Sequence, residues 1–217
     1  MYLKTCIFDM DGTLVDSMGY WRRLERDFLA RRNVHTPNMD AVLELAKPLS
    51  LLQSVTLFID RFNLSGTPED GMAEMMAAMR RHYQCDIQPK PGALEYLEAL
   101  KMQGVRMCIV TATPRELVEV CLKKQGMAPY FEFLLSCDEV GHGKDRPDAF
   151  LAAAQRLNTA PTEIAVFEDS LQAAKTAKQA GFHTVGVFDL NGAIHWPALS
   201  DIADETVTDW NAFRESN

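Results

Sequence analysis

Five short apolar runs, separated by helical patterns, restrict this chain's fold more than any other feature. They occupy residues 3–8, 105–110, 133–135, 164–167 and 184–188. Each is nearly continuous in apolar residues and does not alternate, as expected of strands buried on both faces of a parallel sheet. Between them, Leu94, Leu97 and Leu100 form one helical face that stops at Gly104. Thr113-Pro114-Arg115-Glu116 has the form of a capping box with proline at the first helical position. Pro147 opens a helix running to 157, and another spans 171–180 before Gly181. Strands alternating with helices predict an α/β, Rossmann-like doubly wound core.

One segment breaks that rhythm. Residues 17–89 contain no good strand run, only helical stretches near 20–32, 39–46, 49–62 and 68–83, punctuated by Pro37, Pro48, Gly66, Pro68 and Pro89. The expected organisation is a core of residues 1–16 and 90–217, with an all-helical insert at 17–89 after the first strand.

The formal net charge of −8 argues against a broad electrostatic surface for nucleic acid or anionic membrane. A small anionic substrate remains compatible, because a metal ion and a few cationic side chains can reverse the local field. The five cysteines are odd in number and include no C-x-x-C pair. Cys6 and Cys108, inside apolar runs, read as buried thiols in a reducing compartment. The histidines show no metal-ligand spacing. No apolar run reaches the length of a membrane span, and Asp9 and Asp11 interrupt any secretory signal almost at once. A cytoplasmic protein, monomeric or weakly dimeric, is expected.

Four segments carry chemistry. The first runs from Cys6 to Ser17, with Asp9 and Asp11 directly after a strand and Gly12 allowing a sharp turn. Ligands of open α/β sheets bind beyond the carboxyl ends of strands. One carboxylate there can attack phosphorus, and the other can exchange a proton with the leaving group and then with water. Two close carboxylates also attract a hard cation such as Mg2+. A bare D-x-D-G is equally compatible with two solvated aspartates in a turn. The second segment is Val166-Phe167-Glu168-Asp169-Ser170, a metal site or an acidic helix cap. The third is Ile109-Val110-Thr111-Ala112-Thr113, where the Thr111 hydroxyl and the Ala112 N–H could hold a phosphoryl oxygen, and Thr113 reads as a helix cap. The fourth places Lys144 in the glycine-bearing loop Gly141–Asp148, as a phosphate clamp or a solvated lysine.

Taken in order, FDMDGTLVDS, VTAT, GKDRPD and VFEDS resemble the signature of the haloacid dehalogenase superfamily, and the resemblance covers the whole chain. The helical insert resembles that family's small helical cap. The resemblance implies Asp9 as nucleophile and magnesium ligand, and Asp11 as general acid/base with its backbone carbonyl on the metal. It implies that Thr111, Ala112 and Lys144 hold the phosphoryl group and that Glu168 and Asp169 complete the Mg2+ site. An aspartate two residues after the nucleophile is a mark of the family's phosphatases and mutases, because a leaving alkoxide needs a proton and a halide does not. The chain departs from the family pattern at Ala112, Ala173, Asp145 and Arg146.

The expected activity is Mg2+-dependent hydrolysis of a small phosphorylated metabolite through an aspartyl phosphate on Asp9. The alternative is a phosphosugar mutase of the β-phosphoglucomutase type. Those enzymes carry a histidine just after the first motif, where this chain reads Met18-Gly19-Tyr20-Trp21-Arg22. A non-catalytic binding module is a third reading. Candidate substrate residues are Arg115 and Lys47, with Ser50 and Gln53 behind them. The stretch 191–217, with Trp196 and Trp210, carries no functional signal and is expected to pack on the core.

Overall fold

The computed structural model describes residues 4–46 and 49–216. They form two compact units: one from residues up to Met18 and from Ile87 onward, the other Gly19–Asp86. The expected boundaries of the insert were 17 and 89.

In the first unit, β1 is Thr5–Phe8, and the helical unit follows it in the chain. That unit consists of α1 (Met18–Arg31, whose first residue still belongs to the first unit), α2 (Met39–Ala46), α3 (Leu51–Phe62) and α4 (Pro68–Cys85). Its core is built by Leu24, Phe28, Val55, Phe58, Met75, Met79 and Tyr83, all buried. Ser50 caps α3: its hydroxyl accepts from Gln53 N–H at 3.3 Å, and the Gln53 side chain accepts from Ser50 N–H at 2.9 Å. These two residues, considered above as substrate contacts, are therefore committed to a reciprocal helix cap.

The first unit resumes with α5 (Ala93–Met102), β2 (Arg106–Thr111), α6 (Arg115–Lys124), β3 (Phe133–Ser136) and α7 (Asp148–Arg156). It continues with β4 (Ile164–Glu168), α8 (Leu171–Gln179), β5 (His183–Val187), α9 (Trp196–Ile202), β6 (Glu205–Val207) and α10 (Trp210–Ser216). The six strands pair in parallel in the order β3-β2-β1-β4-β5-β6. Strand order reverses direction between β1 and β4, which is where open α/β sheets place their ligands. Register pairs Phe8 with Phe167, so Asp9 leaves the sheet level with Glu168, and Asp9 N–H still donates to Phe167 O at 3.0 Å.

Two expectations need correction. The sequence reading missed β6, whose three residues, Glu-Thr-Val, include one apolar side chain and lie at the sheet edge, where apolar continuity is not required. The capping box at Thr113–Glu116 does not form: α6 begins at Arg115 after Pro114, with no side-chain cap. The Thr113 hydroxyl donates to Asp11 Oδ2 instead. The carboxyl-terminal stretch does pack on the core, as expected. Trp210 is 2% exposed and lies against Phe8, Tyr96 and Phe167.

Asp204, just before β6, ties that edge down. It accepts from Thr184 N–H at 2.8 Å, from the Thr184 hydroxyl at 2.9 Å and from Lys178 Nζ at 2.7 Å. Partial burial alone would raise its pKa. The Lys178 ammonium and the two Thr184 donors outweigh that and bring it from 3.8 down to about 2. A depressed folded pKa stabilises the protein above the unfolded value, and the gain disappears as pH falls from 3.8 towards 2. Asp204→Asn is expected to lower stability by about 1 kcal/mol at neutral pH, after discounting for solvent screening. Denaturant melts of both proteins should converge at the acid end of that window; an equal gap at every pH would contradict this origin.

Candidate active site

Asp9 directly follows β1 and is 6% exposed, and Glu168 ends β4 at 1%. Between them lies Lys144, delivered by the loop before α7. Its Nζ donates to Asp9 Oδ1 at 2.5 Å and to Glu168 Oε1. Asp9 Oδ2 has no hydrogen-bond partner among the described residues. Asp169 follows Glu168, and its Oδ1 accepts from the Thr13 hydroxyl at 3.3 Å. Gly12 makes the turn between these groups at φ +82°, a conformation that glycine adopts freely. An added Cβ there would collide with the Asp169 carboxylate.

Three carboxylates and one ammonium leave excess negative charge out of water. Burial, with the charge of Asp9 adding to it, raises Glu168 to about 7 even though Lys144 pulls the other way. Burial and the charges of Asp9 and Glu168 likewise hold Asp169 well above the usual carboxylate range. Burial alone would lower Lys144, but Asp9 and Glu168 prevail and raise it. Asp9, Glu168 and Asp169 each offer an oxygen, and these oxygens lie within 4.8 Å of one another. Hard oxygen donors with uncompensated charge fit a hard divalent cation.

The Asp11 side chain stands apart from that group. Its Oδ1 accepts from the Ser17 hydroxyl at 2.5 Å and its Oδ2 from the Thr113 hydroxyl at 2.7 Å. Thr113 is fixed in turn: its N–H donates to Thr111 Oγ1 at 3.1 Å, and its carbonyl accepts from Ser136 Oγ at 3.0 Å. Sequence reasoning gave no role to Ser17 or Thr13 and the wrong one to Thr113. The available signal was their place in the motifs themselves: Thr13 and Ser17 lie in the segment between β1 and α1, and Thr113 stands two residues beyond β2.

Thr111 is buried at the end of β2 and Ala112 is exposed beside it, where the resemblance places a phosphoryl group. Arg115 is otherwise engaged. Its guanidinium donates to Glu139 at 2.8 Å and to Leu134 O at 2.8 Å, tying the start of α6 to β3, so the expected substrate contact is not what this geometry favours. Lys47, the other expected substrate residue, lies outside the described residues.

A doubly wound sheet that gathers acidic residues and a lysine at the carboxyl ends of its central strands has the ligand site expected at a topological switch point. The haloacid dehalogenase-like hydrolase family matches residues 3–181, and the chain belongs to it. A phosphorylated carbohydrates phosphatase of Thermotoga maritima is 26% identical over 84% of each chain. The (DL)-glycerol-3-phosphatase 2 of Arabidopsis thaliana is 30% identical over 93% of this chain and 85% of its own. In fold, the chain resembles the structure of a protein described as a putative beta-phosphoglucomutase from Thermotoga maritima. The TM-score is 0.79 at 22% identity, covering 99% of this chain and all of that one. Within its family the chain is an enzyme of the phosphatase type.

Proposed function

We propose that this enzyme hydrolyses a small phosphorylated metabolite, of the sugar- or polyol-phosphate class, through an aspartyl phosphate on Asp9. The observation that carries the reading is the division of labour between two aspartates at one strand end. Asp9 is paired with Lys144 and, among the described residues, keeps one oxygen without a hydrogen-bond partner, while both oxygens of Asp11 are held by hydroxyls. The names of the relatives support the substrate class.

In the first step Asp9 attacks phosphorus and the ester oxygen leaves, taking a proton from Asp11. In the second, Asp11 accepts a proton from the water that attacks the same phosphorus, and Asp9 is released with inorganic phosphate. Lys144 offsets the charge of Asp9 and of the phosphoryl oxygens throughout, and Thr111 and the Ala112 N–H hold those oxygens. Asp9, Glu168 and Asp169, with the Asp11 carbonyl, would hold Mg2+, which when bound neutralises phosphoryl charge. The helical unit would serve as the cap that excludes bulk water. A cytoplasmic setting is part of the same reading; among the described residues no helix is long and apolar enough to cross a membrane.

A panel of phosphorylated sugars and polyols, assayed for phosphate release with Mg2+, tests this directly. Release from several members is expected and none from a Mg2+-free control. Conversion of β-glucose 1-phosphate to glucose 6-phosphate without free phosphate would favour the mutase instead.

A further inference from the structure

Lys90 and Asp189 are distant in sequence and belong to none of the motifs above, yet the fold buries them as an ion pair. Lys90 Nζ lies 3.0 Å from Asp189 Oδ2, with side chains 13% and 3% exposed. The same ammonium donates to Phe188 O at 2.7 Å. Asp189 Oδ1 accepts from Asn191 N–H at 2.8 Å. On its main-chain side, Lys90 N–H donates to Leu14 O at 2.8 Å, in the loop that follows Asp9 and Asp11. Val15 bridges Pro89, and Asp16 N–H donates to Gln88 O at 2.9 Å. Lys90 therefore joins the exit of β1 to the exit of β5. In the sheet register Gly186 of β5 pairs with Glu168 of β4, so Phe188 and Asp189 leave β5 next to the strand end that carries Glu168 and Asp169.

A buried ion pair is a poor way to gain stability, since well-packed apolar residues of similar volume often do as well or better. Its place here beside a carboxylate cluster gives it another use. We propose that Lys90 is a positioning residue of the active site, which cancels the charge of Asp189 beside the Asp9–Glu168–Asp169 cluster and ties the β5 exit to the nucleophile's loop. This rests on the Mg2+-assisted phosphatase reading above.

The test compares the parent with Lys90→Met, Asp189→Asn and the double variant. Mg2+ binding to metal-free protein is measured by calorimetry, and kcat and KM with p-nitrophenyl phosphate. Lys90→Met leaves the Asp189 charge uncompensated and is expected to bind Mg2+ about fivefold more tightly; Asp189→Asn leaves the ammonium and binds about fivefold more weakly. The double variant returns to within about twofold of the parent. The kcat of Lys90→Met falls about tenfold with KM nearly unchanged, because the nucleophile's loop loses its tie. Lys90→Arg, which keeps the charge, restores most of that loss.

A merely structural pair would shift Mg2+ affinity in the same direction in both single variants or in neither, and either result overturns the proposal. If Lys90→Met does not fold, Asp189→Asn decides alone: weaker Mg2+ binding supports the proposal and unchanged binding overturns it. A parent that neither binds Mg2+ nor releases phosphate would remove the phosphatase reading itself, whereas missing opposite shifts in an active parent overturn only this inference.

Discussion

Asp9→Asn is expected to reduce phosphate release from an aryl phosphate by about 10⁴-fold or more, because a carboxamide cannot serve as the phosphoryl acceptor. The fold should survive. Asparagine is isosteric with aspartate, the Asp9 N–H stays in the sheet, and Lys144 retains Glu168 as its partner. Circular dichroism and the melting temperature check the fold, and steady-state assays at saturating Mg2+ check the rate. A variant retaining a tenth of parental kcat would remove covalent catalysis at Asp9 from the account.

The second large effect belongs to Lys144, whose side chain is 9% exposed between two buried carboxylates. Lys144→Met leaves Asp9, Glu168 and Asp169 with no ammonium among them. Removing one partner of a buried ion pair costs about 3–5 kcal/mol. The lower end is expected here, since Glu168 is already raised to about 7 and can take up a proton. Without Mg2+, the variant should therefore melt well below the parent. Saturating Mg2+ should recover more melting temperature in the variant than in the parent, because a cation then fills the role of the lost ammonium. Its kcat should fall about 10²–10³-fold, the loss typical of removing one electrostatic contact to a developing charge. A kcat within about twofold of the parent would mean that Lys144 holds the cluster together and does not serve the reaction.

The core was legible because a parallel sheet buries both faces of its strands, leaving apolar runs that end where the chemistry begins. Asp9, Thr111 and Glu168 each stand at or beside such an end, so chain position alone suggested that they meet. Lys144 is different: it lies in a loop, and only the ordered motif set pointed to it. The reading failed where a side chain's partner is set by three-dimensional approach. Thr113 precedes Pro114 as a helix cap would, but Asp11 arrives from the neighbouring strand and takes its hydroxyl. Arg115 looked available until β3 and the turn after it brought up Leu134 O and Glu139. Lys90 and Asp189 have no local pattern at all, because their pairing exists only once the fold brings the segment before α5 against the exit of β5. The edge strand β6 escaped notice because a three-residue edge strand needs little apolar character.

The central claim is that Asp9 carries the phosphoryl group between the two steps. An aspartyl phosphate is an acyl phosphate, and borohydride reduces it to homoserine. Enzyme mixed with saturating substrate and Mg2+, quenched in acid within the first turnover, reduced and digested, should yield a peptide with homoserine at position 9. The parent without substrate and Asp9→Asn should yield none. Single-turnover phosphate release with no homoserine at position 9 at any quench time, or homoserine at another aspartate, would contradict the account.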